Sequence, residues 1–421
     1  MKSLVKNSLK ATALVGAFGM LWSGMASAVD VYLAAGRFLQ TINGEAIPMW
    51  GYMNYDPGSP PTACGQVNNN AALQAPGPEI VTNAGDDVVV HLLNCIPGAD
   101  NRVADNRTSV MIPGQPMPAV VDPNPGNNAA DGPRYYGGGN PNFAGRMRSQ
   151  VKETRRLTSG RPQAVTYTFS NVREGTFIYH SGTHMQVQVQ MGLHGPLTVC
   201  PSSSPYNATQ GRCVGGGNRP YAGARTGYFR EASLFYSEID PAIHYAVDRG
   251  CYGPDEDAGA CSPANQGLRT TSTIKYAPKY ILINGEPFDG SKLDLQADIG
   301  LPNANRKILL RVRSAGNRYH SIACKFCADE PRGFGARAIA EDGYLYRFSL
   351  DGADLKDDTG TVYEKMQEVF LVSPLQTRDI YVNNVDPDDG GPLGYQLMLE
   401  LDRFGEIPPV AGVTPAVAVG P

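Results

Sequence analysis

The chain has 421 residues, of which 42% are apolar and 18% are charged, and its formal net charge is −4. This length is enough for two domains of roughly 150 to 200 residues, and the apolar content is enough for folded cores. The 48 glycines and 33 prolines favour turns over long surface helices and indicate an all-β protein. Nucleic acid is excluded as a partner because no basic stripe interleaves with aromatic residues.

The N-terminus has the three parts of an export signal. Lys2, Lys6 and Lys10 precede an apolar stretch that ends in small residues at 26–28. This pattern predicts a signal peptide over residues 1–28, cleaved before Val29, and a periplasmic or secreted protein. No other segment approaches the roughly 20 apolar residues of a membrane-spanning helix, so we expect no membrane span in the mature chain.

Several strands are predicted in the first half of the mature chain. Residues 80–93 contain a turn at Gly85 between two apolar runs, and we expect two neighbouring strands of one sheet. His91 on the second run is interpreted as a satisfied, partly buried histidine. Residues 165–169 alternate apolar and hydroxyl side chains, which is the period of a strand with one buried face.

Residues 175–197 form a predicted strand-loop-strand corner with three of the six histidines of the chain: His180, His184 and His194. Imidazole nitrogens suit copper, zinc, iron and nickel, so these three are the candidate metal ligands. The alternative is three unrelated core or surface histidines. Stretch 185–191, with glutamine alternating with valine, is also consistent with a plain strand.

Two methionines and a histidine farther along the chain are additional candidate metal ligands. Met185 and Met191 are thioethers of the kind that suits Cu(I), but methionines at such positions more often pack in a core. His320 precedes a CxxC pair, Cys324 and Cys327, and nitrogen and sulfur at this spacing could bind a metal. In an oxidising compartment a disulfide is favoured over a metal there.

All eight cysteines lie in the mature part of the chain. An even number of cysteines after an export signal indicates disulfides. Two local pairs are predicted because each flanks a loop rich in glycine or proline that a bridge would stiffen: Cys200 with Cys213, and Cys251 with Cys261.

The spacing of strands and turns predicts two domains. The first covers residues 29–205, a connecting segment with its own strand at 232–236 covers 206–273, and the second domain covers 274–405. A tail at 406–421 is expected to be disordered. Sandwich-like spacing predicts five strands in the second domain, at 280–283, 308–312, 336–340, 368–372 and 379–382.

Several motifs together resemble those of the multicopper oxidase superfamily. In the first half they are GPEI at 77–80, GDDVVVHLLN at 85–94, GTFIYHS at 175–181 and GLHGPL at 192–197. In the second half they include ILINGE at 281–286, AIAEDG at 338–343 and VSP at 372–374. The resemblance covers nearly all the mature chain and implies an all-β fold of two consecutive cupredoxin-like Greek-key β-sandwich domains, with copper as the cofactor.

The departures from the family concern its copper ligands. The family's TSIHWHG segment corresponds to TSVMIPG at 108–114, so both histidines are missing, and its HSH corresponds to HSG at 180–182. His184 is the candidate replacement for the second of these. No C-terminal HCH segment occurs, and we expect the third domain to be absent. The resemblance implies about ten histidines for four coppers, whereas the chain has six, so a laccase-type mechanism is not expected.

Three hypotheses remain open at the level of sequence. The first is an exported copper-binding protein with a reduced histidine site. The second is a copper-dependent oxidoreductase with one mononuclear site, completed by His320 across a domain or a homo-oligomer interface and acting on a small molecule or metal ion. The third is a metal-free structural or interaction protein on the same scaffold. No GxSxG or phosphate-binding loop motif supports a hydrolase or a nucleotide-dependent enzyme.

Overall fold

The computed structural model describes most of the chain between residues 27 and 398. The described ranges are 27–97, 107–123, 133–135, 147–155, 164–224, 226–252, 276–287, 308–324, 336–346, 369–382 and 397–398. The predicted signal peptide up to residue 26 and the predicted tail at 406–421 lie outside them, as do Cys261 and Cys327. No helix among these residues is long and apolar enough to cross a membrane.

Most regular elements in the described residues of the first half are strands. A 3₁₀ turn at Cys64–Gln66 and one short helix, α1 (Met185–Gln188), accompany them. The strands in chain order are β1 (Ala28–Ile42), β2 (Glu45–Asn54), β3 (Ile80–Asn83), β4 (Asp87–Asn94), β5 (Ala119–Val121), β6 (Arg134–Tyr135), β7 (Met147–Ser149), β8 (Val165–Phe169), β9 (Gly175–His180), β10 (His194–Cys200), β11 (Tyr206–Asn207) and β12 (Arg212–Cys213).

The described residues of the second half form further strands and the helix α2 (Pro241–Asp248). That helix begins after Asp240, whose side chain accepts a hydrogen bond from the backbone of Ala242, a usual N-cap. The strands are β13 (Arg230–Ile239), β14 (Tyr280–Ile283), β15 (Glu286–Pro287), β16 (Ile308–Ser314), β17 (His320–Cys324), β18 (Ala336–Glu341), β19 (Tyr344–Leu345), β20 (Val369–Val372), β21 (Thr377–Val382) and β22 (Leu397–Met398).

Two sheets enclose the core of the first half. One has the order β2-β1-β4-β8-β5 and the other β3-β10-β9. Strand β8 shows the predicted alternation of buried and half-buried side chains. The prediction that 80–93 forms neighbouring strands of one sheet is wrong, because β3 pairs with β10 and β4 pairs with β1 and β8. The turn between them therefore crosses from one layer to the other.

A seven-stranded sheet dominates the second half, in the order β15-β14-β13-β16-β21-β18-β19, and β20-β17-β22 form a smaller sheet. All five predicted strands are present here. The strand expected inside the connecting segment 206–273 is β13, and it lies within this sheet between β14 and β16. The chain is all-β, as predicted, and its two halves have the layered sheets of β-sandwiches.

Three hairpins turn on a two-residue loop whose second residue is glycine. In the loop of β1 and β2, Asn43 and Gly44 have φ values of 51° and 82°. Positive φ at both positions is the requirement of a type I′ turn, which Asn-Gly meets with little strain. The same solution recurs at 284–285 and 342–343, so local sequence sets the register of these hairpins.

Two disulfides are fully described. The predicted bond between Cys200 and Cys213 is confirmed, and it closes a loop of sequence separation 13. A second bond joins Cys64 to Cys95 at separation 31, and the sequence did not predict it. Cys251 is also disulfide-bonded, while its predicted partner lies outside the described residues.

Candidate histidine site between the two halves

His180 and His194 are direct neighbours across two strands. His180 ends β9, His194 begins β10, and the two are register partners in the antiparallel pair. Side chains of directly opposed residues lie on the same face of a sheet, with Cβ atoms about 4.5–5.5 Å apart. The sequence therefore identified two side chains that the fold brings together.

The face that carries this pair is turned toward the second half of the chain. Along β9, Phe177 and Tyr179 enter the core of the first half, whereas Ile178 packs with Phe235 of β13. The His194 ring stacks on the Phe235 ring, with centroids 5.1 Å apart and an interplanar angle of 11°. Both faces of β9 are thus covered, which explains why every residue of this strand is buried.

Each imidazole is fixed by one ring nitrogen. His180 Nδ1 lies 2.8 Å from the carbonyl oxygen of Ser181, and His194 Nδ1 lies 3.0 Å from that of Val189. A carbonyl oxygen only accepts, so each Nδ1 carries the proton and each Nε2 is left with its lone pair. Both Nε2 atoms are buried, and neither has a hydrogen-bond partner among the described residues.

Burial also keeps both rings neutral. It lowers the pKa of His180, against the hydrogen bond to Ser181 that favours the protonated form. Burial also lowers the pKa of His194 to about 4. The hydrogen bond to Val189 raises this pKa, and the nearby His180 lowers it slightly further. A neutral imidazole with an open Nε2 is the form that binds a metal ion.

His184 is placed differently from the other two candidates. It caps the N-terminus of α1 in the left-handed region, with φ of 40° and ψ of 53°, and its backbone nitrogen donates to Arg148. Its side chain is buried. Among the described residues, no three His, Cys, Asp or Glu side chains form a group that could hold a metal ion.

The helix at this corner corrects the alternative interpretation of 185–191 as a strand, because Met185–Gln188 is helical. The alternation of valine and glutamine does not distinguish a strand from a helix. The helix begins directly after His184, whose backbone is in the left-handed region. Of the two candidate methionines, Met185 Sδ accepts a hydrogen bond from Gln150 at 3.1 Å. Met191 is fully buried in the core of the first half.

His320 is occupied by a different partner. Its Nε2 lies 2.7 Å from Glu238 Oε1, and its ring stacks on Tyr236 with centroids 5.1 Å apart. Burial would raise the pKa of Glu238, but the contact with His320 and hydrogen bonds from Tyr276 and Arg318 outweigh it and lower that pKa. The arrangement is a buried polar hub, and it gives His320 no visible role as a metal ligand.

Five buried hydroxyl side chains surround the loop that follows His180. Ser109 Oγ lies 3.0 Å from Thr183 Oγ1 and 3.3 Å from Ser149 Oγ, and Thr108 Oγ1 lies 3.2 Å from Ser181 Oγ. These hydroxyls bond to one another and to nearby backbone, so they rigidify the corner. Sequence patterns do not predict these hydroxyls, because serine and threonine carry no distinctive spacing.

Two buried arginines of β16 join the halves of the molecule. The sequence motifs did not identify them. Arg313 donates to the carbonyl oxygens of Phe177 at 2.9 Å and Leu197 at 3.1 Å. Arg311 donates to Thr176 Oγ1 at 2.8 Å and lies 3.7 Å from Asp379. The signal was present, since two arginines spaced by two in an apolar strand lie on one face and need a polar partner there.

A cleft opens beside this site. It has a volume of about 550 Å³, and its lining includes Phe38, Gln74, Pro76, Phe235 and Asn284. Phe235 is the residue whose ring stacks on His194. The cleft and the histidine pair therefore share a contact with Phe235, and the cleft lies between the first sheet and the β14–β15 hairpin.

Comparisons with known proteins find similarity only at the level of structure. No protein-family model matches the chain, and no curated protein does. Among solved structures, the chain is similar to a blue copper oxidase from Nitrosomonas europaea, with 14% identity, 86% of this chain and 77% of that chain covered, and a TM-score of 0.45. It is also similar to the copper nitrite reductase of Nitrosomonas europaea, with 15% identity, 86% and 85% covered, and a TM-score of 0.43.

A laccase from Botrytis aclada is a third similar structure, with 15% identity, 85% of this chain and 47% of that chain covered, and a TM-score of 0.44. The copper and the activities in these names belong to those proteins. The function of this chain has to be inferred from its own residues.

Proposed function

We propose that this protein is an exported copper-binding protein on a multicopper-oxidase-like scaffold, which holds copper between its halves through His180 and His194 and lacks a four-copper centre. The observation that carries the proposal is the pair of buried Nε2 atoms on one face of a sheet, without partners in the described part of the chain. A buried polar atom without a partner costs about 1–3 kcal/mol. One metal ion would satisfy both.

The hydrogen bonds at Nδ1 support this assignment. Metal-ligating histidines commonly donate their second ring nitrogen to a carbonyl or carboxylate, which fixes the tautomer and the ring orientation. Ser181 and Val189 provide that contact here. Copper bound at this site would supply one-electron chemistry. His184 is kept as a further candidate ligand because it is buried at the same corner.

The disulfides support the exported location. Cys64–Cys95 and Cys200–Cys213 are both formed, and such bonds persist in oxidising compartments. Together with the signal-like N-terminus they favour the periplasm or the extracellular space.

A metal-free scaffold is the second candidate function. The observation that favours it is the network of buried hydroxyls, which together with the Nδ1 hydrogen bonds can hold the corner without an ion. This candidate and the copper site make opposite predictions about metal binding.

Copper binding to the protein from residue 29 onward decides between them. Metal-free protein is titrated with Cu(I) against a chromophoric chelator, and with Cu(II) by calorimetry, and thermal melts are recorded with and without metal. We expect one copper per chain and an increase in stability, about 2.7 kcal/mol at a free copper concentration of 100 Kd.

Variants locate the site. His180→Ala and His194→Ala should each weaken copper binding by more than about tenfold, because even outer partners of metal ligands contribute 10–100-fold. His184→Ala tests the third candidate. His91→Ala is the matched control, since His91 is held by Thr166 and Asp30 on the other sheet. No copper binding by the unaltered protein would establish the metal-free scaffold. Equal binding by His180→Ala and His194→Ala would overturn the proposed site and place the copper elsewhere in the chain.

A further inference from the structure

A methionine lies in line with the histidine pair. Met111 and His180 form an antiparallel bridge in which each backbone nitrogen donates to the other's carbonyl, at 2.8 and 2.9 Å. His180 is in turn the register partner of His194. Because directly opposed residues share a face of the sheet, Met111, His180 and His194 form a row across three adjacent chain segments.

The surroundings of Gly182 confirm the direction of the Met111 side chain. A Cβ atom at Gly182 would lie 2.5 Å from Met111 Cγ and 3.1 Å from Ser109 Oγ. Residues 180 and 182 alternate with Ser181, as 109 and 111 alternate with Val110. The Met111 side chain therefore starts on the face that it shares with His180 and extends toward Gly182.

The other two methionines at this corner are less suited to bind a metal. Met185 already receives a hydrogen bond on its sulfur from Gln150. Met191 and Met111 both belong to the apolar core of the first half, with 0% and 8% exposure, but Met191 is not paired with His180 or His194. Met111 is thus the methionine of this corner that is paired directly with His180.

The charge of the site selects between metal ions. Two imidazoles and one thioether are neutral donors, and the described residues contain no group of three His, Cys, Asp or Glu side chains that could add a charged donor. Burying an uncompensated divalent ion costs more than burying a monovalent one. Thioether ligands select Cu(I), while zinc takes thiolate, imidazole and carboxylate.

We propose that Met111 Sδ is a third donor at this site and makes it selective for Cu(I) over Cu(II) and Zn(II). The proposal rests on the copper site proposed above and adds to it the ligand that sets the oxidation state. The proposed role of Met111 concerns binding only, so neither copper nor protein is oxidised or reduced when Cu(I) binds.

The test compares Met111→Leu with Met117→Leu under anaerobic conditions. Met117 lies in the same chain segment and is 58% exposed, so it is a matched control. Competition with a chromophoric Cu(I) chelator should show an affinity at least about tenfold lower for Met111→Leu, which corresponds to about 1.4 kcal/mol. The Met117→Leu protein should bind as the unaltered protein does.

Spectroscopy identifies the donor directly. Copper-edge X-ray absorption of the Cu(I) protein should contain a sulfur scatterer beside nitrogen, and Met111→Leu should retain only nitrogen. If Met111→Leu does not fold, selenomethionine protein is used, in which the sulfur scatterer should become selenium, and the Met185→Leu form of that protein should retain it.

The outcomes separate this proposal from the one on which it rests. Cu(I) binding with nitrogen scatterers alone, at equal affinity in Met111→Leu, would overturn the role of Met111 and leave the histidine site standing. No copper binding by the unaltered protein would overturn both. Zn(II) binding as tight as Cu(I) binding would overturn the selectivity.

Discussion

The Met111 side chain occupies the space in front of Gly182. Met111 Cγ would lie only 2.5 Å from a Cβ atom at position 182, a distance that real Cβ atoms do not reach. A larger residue at 182 and a long one at 111 therefore compete for one volume. In the multicopper oxidases that the sequence resembles, the two corresponding positions are both histidines, and here a large and a small residue share the space.

This relation predicts a coupled pair of substitutions. Gly182→Ala should lower the free energy of unfolding by about 1–3 kcal/mol through overpacking. In a Met111→Ala background the same change should cost less, with a coupling of about 0.5–3 kcal/mol in a double-mutant cycle. Urea unfolding measures this coupling. Gly65→Ala is the control, because a Cβ there meets nothing within 4 Å; strict additivity would contradict the packing described.

The stability of the metal-free protein should depend on pH through its buried histidines. The folded pKa of His194 is about 4, lower than the ordinary value of 6.5, because of burial. The unfolded state therefore binds more protons between these values, so the contribution is complete above pH 6.5 and is lost as pH falls toward 4. The shift corresponds to about 3 kcal/mol at most.

Unfolding titrations between pH 8 and 4 measure this slope. His194→Gln should flatten it. An equal slope in His194→Gln and in the unaltered protein would place the pH dependence elsewhere in the chain.

Replacement of Arg311 should destabilise the protein. Arg311→Met leaves Asp379 buried at 1% exposure without its cation, and breaking a buried ion pair on one side costs about 3–5 kcal/mol. Arg378→Met on β21 is the control, since its contact with Glu341 is partly exposed and should be worth less than about 1 kcal/mol. Calorimetric melts that show equal losses would argue against a special role for Arg311.

Removal of the Cys200–Cys213 bond should destabilise the protein by about 3 kcal/mol, on the loop-closure estimate for a loop of this size. The bond is buried, and Arg311 Nη2 lies 3.5 Å from Cys213 Sγ. A Cys200→Ser, Cys213→Ser double variant, compared by denaturant unfolding with the unaltered protein, measures this loss. A change below about 0.5 kcal/mol would mean that the folded network holds the loop without the bond.

The sequence predicted the strands well because alternation and turn chemistry are local. The strand at 165–169 and the strands of the second half follow from apolar periodicity alone. The layer to which each strand belongs is not local, and for that reason β3 and β4 were assigned to one sheet. The helix at Met185–Gln188 was missed because four residues give no helical period.

The candidate site was predictable in part. Clustering identified His180 and His194, but which histidines share a face depends on register, and register depends on the loop between them. Met111 could not be found by spacing, since it lies 69 positions before His180 and becomes its neighbour only through a backbone bridge. The separate placement of His184 at a helix cap likewise arises from a single left-handed residue.

The contacts of Arg313 have a consequence for how this protein can be divided. Its guanidinium reaches the backbone of both β9 and β10, so a fragment ending near residue 205 would keep the histidine strands yet expose their second face and lose the cation that serves their carbonyls. Cutting the chain at that point would produce a fragment with an exposed apolar face rather than an independently stable domain. We therefore expect the two halves to be stable only together.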